Sequence, residues 1–151
     1  VRLYLVRHGE ADSSGSLDSD KPLSKEGIEE VKKVADFVKI KTSAIWMSNK
    51  LRAKQTAEIF KEYGFSSNLI ERDDLAPNDP TRTIHSDIED YNSDLMIVGH
   101  LPFLSKLAAS LLSTSEDSIN FDFNTAAMMF LERESGEWSL SGFLNPDLIA
   151  Y

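Results

Sequence analysis

The 151 residues include three histidines, and two of them, His8 and His100, stand in the same local setting. Each follows an apolar run of strand-forming residues, Leu3-Tyr4-Leu5-Val6 or Leu95-Met96-Ile97-Val98. Each also lies beside a glycine, in Arg7-His8-Gly9 and Gly99-His100. In open α/β sheets the carboxyl ends of strands line the ligand crevice, so two imidazoles delivered there could act together. Either histidine alone reads more readily as a hydrogen-bonded turn residue, and it is the pair that points to function. Arg7, directly before His8, adds a guanidinium whose forked donors suit two oxygens of one phosphate.

Arg52 stands out on a helical projection. At about 100° per residue, Arg52, Thr56, Ile59, Phe60 and Tyr63 share one face of a helix, while Lys50, Lys54, Glu58 and Lys61 lie on the other. An arginine on a buried stripe needs an anion, which could be an internal carboxylate or a bound phosphate. Together, Arg7, His8, Arg52 and His100 could bring two guanidiniums and two imidazoles around one phosphoryl dianion, with no obvious carboxylate among them. The sequence has no His-x-x-x-His zinc helix, no Gly-rich phosphate loop and no aspartate-rich Mg²⁺ pattern, so no metal and no cofactor is expected. Phosphoryl transfer can rest on positioning and charge stabilisation by protein cations.

The elements that must hold these residues are legible in outline. Val1 to Val6 reads as a strand buried on both faces, and Ala11 to Lys21, rich in Ser, Asp and Gly, as a loop. Ser24 is a natural N-cap for a helix carrying Ile28, Val31, Val34, Ala35 and Val38. A strand at Ala44 to Met47 leads to Ser48, which can cap a helix from about Asn49 to Tyr63. A short strand near Asn68 to Glu71 follows. Asp79-Pro80 then opens a helix with Ile84, Ile88 and Tyr91 on one face, Asp79 serving as its N-cap. Leu95 to Val98 is a second buried strand, and Pro102 opens a helix with Leu104, Leu107, Ala108 and Leu111 inside. Ala126 to Leu131 and Trp138 to Phe143 read as a hairpin around Gly136. Alternating strands and helices, with no repeat or linker, predict a single α/β domain over residues 1–151.

Composition narrows the partners. The net charge of −9 disfavours a nucleic-acid binder. The charge is uneven: residues 1–72 carry 13 Lys and Arg against 11 Asp and Glu, residues 73–151 only 3 against 14, so an anion site should draw on the first half. No uncharged apolar run is long enough to cross a bilayer, and no secretory signal is evident, so no membrane association is expected. Zero cysteines exclude disulfides and thiol catalysis and fit the cytoplasm.

Four blocks carry a family resemblance. Leu5-Val6-Arg7-His8-Gly9-Glu10-Ala11, Pro22-Leu23-Ser24-Lys25-Glu26-Gly27, Ser48-Asn49-Lys50-Leu51-Arg52-Ala53-Lys54-Gln55-Thr56-Ala57 and Val98-Gly99-His100 occur in the order found in the histidine phosphatase, or phosphoglycerate mutase-like, superfamily. His100-Leu101-Pro102 and Phe123-Asn124-Thr125-Ala126-Ala127 resemble its small SixA-type phosphohistidine phosphatase branch. The resemblance implies a three-layer α/β/α sandwich with a mainly parallel sheet, helices on both faces and a C-terminal β-hairpin. It also implies that His8 is a nucleophile that becomes phosphorylated. Arg7, Arg52, His100 and the backbone amide of Leu101 would bind the phosphoryl group.

One feature departs from the family pattern. Mutases and many phosphomonoesterases carry an acid two positions after a leucine in the loop following the third strand, whereas Leu75-Ala76-Pro77 has proline there. Asp79 and Glu10 are the remaining candidate proton donors. An alkoxide leaving group needs a proton more than a phosphohistidine imidazole does, so a site without a dedicated acid favours P–N cleavage. The short chain also leaves little room for a lid, which suits a phosphohistidine displayed on another protein, for example a histidine phosphotransfer domain, with phosphate as product. Two alternatives stay open: a small-molecule phosphomonoesterase or mutase, and a non-catalytic module that binds phosphoproteins.

Overall fold

The structure, a computed structural model, describes residues 1–14, 17–113 and 115–150. Gly15 and Ser16 of the expected 11–21 loop, and residue 151 of the expected domain, lie outside the described residues. Among the described residues ten helices and strands follow one another: β1 (Arg2–Arg7), α1 (Lys25–Phe37), β2 (Ala44–Ser48), α2 (Leu51–Glu62), β3 (Leu69–Arg72), α3 (Arg82–Glu89), β4 (Leu95–Gly99), α4 (Phe103–Leu112), β5 (Met128–Glu134) and β6 (Glu137–Leu144). The loop after β1 also contains a single 3-10 turn, Asp18–Asp20.

All six strands join one sheet in the order β3-β2-β4-β1-β5-β6. The first four strands run parallel to one another, and the β5–β6 hairpin adds antiparallel to β1. Central strands are apolar on both sides because both sides are covered. Leu3, Leu5, Trp46, Leu95 and Ile97 pack on α3 and α4 through Ile84, Ile88, Phe103, Leu104 and Leu107. Their alternates Tyr4, Val6, Ile45, Met96 and Val98 pack on α1 and α2 through Val31, Val34, Ala57 and Phe60. The result is the expected three-layer α/β/α sandwich with its C-terminal hairpin.

Helix boundaries obey local chemistry, with two departures from expectation. Ser24 caps α1, its hydroxyl accepting from the Gly27 amide at 2.9 Å, and α2 ends where Gly64 takes a φ of +85°. Ser48, expected to cap α2, is the last residue of β2, and the N-cap is Lys50. Pairing of Ser48 with Arg72 keeps it in the sheet, and its hydroxyl is engaged with His100 as described below. Asp79, expected to cap the next helix, does not: α3 begins at Arg82 behind Thr81. The Asp79 carboxylate instead accepts from the Ala76 amide at 2.8 Å, closing a turn within its own loop.

The turn after β1 is held by a close backbone approach. A β-carbon on Gly27 would overlap the carbonyl oxygen of Glu10, and one on Gly9 would come within 2.7 Å of Val31 Cγ2. Gly27→Ala therefore sets a helix-propensity gain of about 1 kcal/mol against an overlap costing about 1–3 kcal/mol. Urea unfolding is expected to show a net loss of stability. An equal or higher midpoint would mean that α1 can retreat from the turn.

Candidate active site

Adjacent parallel strands bring the two histidines together. β1 and β4 pair with Arg7 opposite Gly99, and the His8 amide donates to the Gly99 carbonyl at 3.0 Å, so His8 and His100 leave the sheet side by side. Their ring centroids are 5.0 Å apart at a 56° tilt. β2 lies on the other side of β4 and ends at Ser48, and Arg52 follows as the second residue of α2. A cleft of about 320 Å³ is lined by Arg7, His8, Arg52, His100 and Leu101, with Asp18, Lys21 and Pro77 supplied by loops.

The protonation of His8 follows from its neighbours. Its Nδ1 lies 2.7 Å from the Gly9 carbonyl oxygen, an obligate acceptor, so Nδ1 carries the proton and Nε2 a lone pair. Arg52 Nε donates to that Nε2 at 3.3 Å. Burial, reinforced by the Arg52 and Arg7 charges, lowers the His8 pKa to about 4, against the opposing pull of the Gly9 hydrogen bond. At neutral pH the ring is therefore uncharged, with one defined nucleophilic nitrogen. Thr56, buried beneath it, accepts from the Gly9 amide at 3.0 Å and donates to the Arg52 carbonyl at 2.7 Å, coupling the turn to α2.

The two guanidiniums are oriented from behind. Arg7 Nη1 donates to the Phe123 carbonyl at 2.8 Å, while its Nε is buried with no hydrogen-bond partner among the described residues. Arg52 Nη1 donates to the Asp18 backbone carbonyl at 2.8 Å. His100 sits with Nε2 2.8 Å from Ser48 Oγ and with Nδ1 buried and, among the described residues, unpartnered. Burial, then the His8, Arg52 and Lys50 charges, lower its pKa to about 3.

The expectation that no carboxylate joins this group is corrected by Asp18. Its Oδ2 lies 2.6 Å from Lys50 Nζ and 3.5 Å from Arg52 Nη2, and Oδ1 is 3.7 Å from Lys21 Nζ. The Lys50 hydrogen bond, with the Arg52 and Lys50 charges, holds its pKa down at about 2. The carboxylate is ionised yet 57% exposed, so its ion pairs are screened by solvent and displaceable. The two anion partners open to Arg52 on sequence grounds are thus both available: an internal carboxylate at the cleft rim, and space for a ligand oxyanion beside it.

Neither candidate proton donor reaches the cleft. Glu10 is exposed and its Oε1 accepts from Ser24 Oγ at 3.3 Å, while Asp79 is occupied by the Ala76 amide. Ser48, Thr56, Lys50 and Asp18 take part in the site without having been singled out for it from sequence. Only Thr56 carried a signal, its place on the buried face with Arg52. Among the described residues no cluster of three His, Cys, Asp or Glu could hold a metal ion, and no helix is long and apolar enough to cross a membrane.

Two outcomes follow from these charges. Both histidines titrate well below the ordinary value near 6.5, so the unfolded chain takes up protons that the folded site refuses. Stability is therefore full above about pH 6.5 and falls as pH drops towards 3–4, by on the order of 1–2 kcal/mol per histidine at pH 5. Urea midpoints between pH 7 and 5 should show this fall, and His100→Asn should flatten it. Removing the resident anion with Asp18→Ala should tighten binding of inorganic phosphate by about three- to tenfold, measured by calorimetry. Unchanged affinity would mean that the carboxylate does not compete for Arg52.

Comparison with known proteins bears on the fold and the family. Residues 3–76 match the sequence profile of the Histidine phosphatase superfamily (branch 1). Phosphohistidine phosphatase SixA of Escherichia coli is 25% identical over 157 aligned residues, covering 97% of this chain and 94% of that one. A solved structure of the protein histidine phosphatase SixA complexed with tungstate superimposes with a TM-score of 0.86 at 23% identity, covering 97% of this chain and 98% of the other. Phosphoglycerate mutase from Bacillus anthracis shares the fold at a TM-score of 0.76 and 16% identity, covering 97% and 94%. The chain thus matches the histidine phosphatase superfamily over residues 3–76, is similar over nearly its whole length to a phosphatase, SixA, and has the phosphoglycerate mutase-like fold.

Proposed function

We propose that this chain, acting as one domain, is a metal-independent phosphatase that transfers a phosphoryl group to its own His8, and that its substrate is a phosphohistidine displayed by another protein. The observation that carries the first part is the lone pair on His8 Nε2, fixed by the Gly9 carbonyl and set beside Arg52 in a cationic cleft. In the first step Nε2 attacks phosphorus, an Nε2–P bond forms, and the P–N bond to the substrate imidazole breaks. That ring leaves with a proton already on it or taken from solvent. Arg7 and Arg52 hold the phosphoryl oxygens, and His100 and the Leu101 amide add donors where charge develops. In the second step water attacks phosphorus, loses a proton, and inorganic phosphate leaves with His8 restored.

The choice of substrate rests on the chemistry of the carboxylates. Asp18, the one carboxylate that both lines the cleft and touches Arg52, has a pKa near 2, so at neutral pH it has no proton to give an alkoxide. Imidazole is the better leaving group and tolerates that lack. The resemblance to SixA, itself named a phosphohistidine phosphatase, supports the same assignment. A histidine phosphotransfer domain is a fitting partner, and the cysteine-free sequence fits action in the cytoplasm. A small-molecule phosphomonoesterase or mutase would need Asp79 or Glu10 to swing into the cleft. A pure phosphoprotein binder would have no use for an activated nucleophile.

Purified protein incubated in EDTA should release phosphate from a phosphohistidine-bearing protein faster than from phosphomonoesters, and acid-labile phosphate should be trapped on His8. Faster ester turnover would overturn the substrate assignment. His8→Ala should lower kcat/KM by far more than tenfold; a smaller loss, under about 1.4 kcal/mol of transition-state stabilisation, would remove its nucleophilic role.

A further inference from the structure

Ser48 is the last residue of β2, with only 1% of its surface exposed. Its hydroxyl has one proton to give and two lone pairs with which to accept. One lone pair takes the Lys50 amide, 3.3 Å away. The other neighbour of the oxygen is His100 Nε2, at 2.8 Å. Among the described residues the Ser48 hydroxyl has no further hydrogen-bond partner. Its proton therefore points at Nε2, and a neutral imidazole that accepts at Nε2 must carry its own proton at Nδ1. The opposite assignment, Nε2–H donating to Ser48, would leave two buried groups unsatisfied, the serine proton and a bare Nδ1 lone pair. Buried polar groups are rarely left in that condition.

We infer that Ser48 is a positioning residue that fixes the tautomer of His100, so that this histidine offers an N–H to an oxyanion in the cleft. Nδ1 is the ring nitrogen left without a partner, in a residue that lines the cleft and whose ring lies 5.0 Å from that of His8. An N–H there attracts a phosphoryl oxygen, whereas a lone pair would repel it. The two histidines thus hold the same proton-bearing nitrogen but present opposite faces. His8 spends its Nδ1–H on the Gly9 carbonyl and keeps a lone pair for attack. His100 spends its lone pair on Ser48 and keeps an N–H for binding. Lys50 adds a further link, because its amide fills the serine lone pair that would otherwise compete for a ring N–H.

The oxyanion part of this inference rests on the phosphatase reading, but the tautomer is readable without substrate. Two-dimensional ¹⁵N–¹H spectra of histidine-labelled protein at pH 7, assigned by loss of signals in His100→Gln, should show His100 protonated at Nδ1 and bare at Nε2. Protonation at Nε2 would overturn the proposal. Ser48→Ala should shift His100 towards the other tautomer and weaken inorganic phosphate binding by about tenfold, while Ser48→Thr, which retains the hydroxyl, should restore both. Weakened binding in Ser48→Ala with an unchanged tautomer would also overturn it. The expected tautomer in a protein that hydrolyses no phosphohistidine would instead sink the phosphatase reading and leave the role of Ser48 standing.

Discussion

Parallel pairing between β1 and β4 is the constraint on which the site depends. The register that sets Arg7 against Gly99 delivers His8 and His100 to the same edge of the sheet, one step past the last paired residues. It also places β2, on the far side of β4, where its final residue meets His100. The hydrogen bond from the His8 amide to Gly99 extends that pairing into the turn. The late segment closes the other side, where the Ala126 amide donates to both the Arg7 and His8 carbonyls, at 3.1 and 3.2 Å. A one-residue slip of β1 would move every buried side chain to the wrong face, so the core that stabilises the sandwich also fixes the geometry of the cleft.

Within that frame the charges are arranged against the grain of the whole protein. A chain of net charge −9 concentrates Arg7, Arg52, Lys21 and Lys50 around one cleft. Burying two imidazoles beside these four cations holds both neutral, which avoids adding a fifth and a sixth positive charge in a confined space. In the proposed reaction the uncharged rings serve as nucleophile and hydrogen-bond donor, while the arginines supply the charge. Asp18 offsets part of the cationic charge at the cleft without neutralising it permanently, because its carboxylate stays half in water.

Much of this was legible from local pattern. Continuous apolar runs marked both central strands, the 3.6-residue stripe exposed Arg52 as an arginine on a buried face, and the Gly-containing turn marked the hairpin. Strand order was not legible, because no local pattern says that β4 inserts between β1 and β2. Asp18 was hidden for a related reason: it sits in an aperiodic loop and reaches Arg52 and Lys50 only once β1 and α2 have been brought together. Asp79 and Ser48 show how capping preference is overridden. Each can serve as an acceptor for a helix amide, but Asp79 finds a nearer amide at Ala76, and Ser48 is held in β2 by the sheet and turned towards His100.

The same logic bears on which leaving group the cleft suits. The carboxylates Glu10, Asp79 and Asp18 and the two imidazoles are each either outside the cleft or held there in the conjugate base at neutral pH. Glu10 and Asp79 are tied to Ser24 and Ala76, Asp18 is pinned ionised by Lys50 and Arg52, and His8 and His100 have lost affinity for a second proton through burial. Raising the pKa of Asp18 would mean removing the Lys50 and Arg52 charges that hold it ionised, and Arg52 is one of the cations proposed to bind phosphate. Strong oxyanion binding and a resident general acid are therefore in direct competition here. A substrate whose leaving nitrogen brings its own proton escapes that competition, whereas an alkoxide does not.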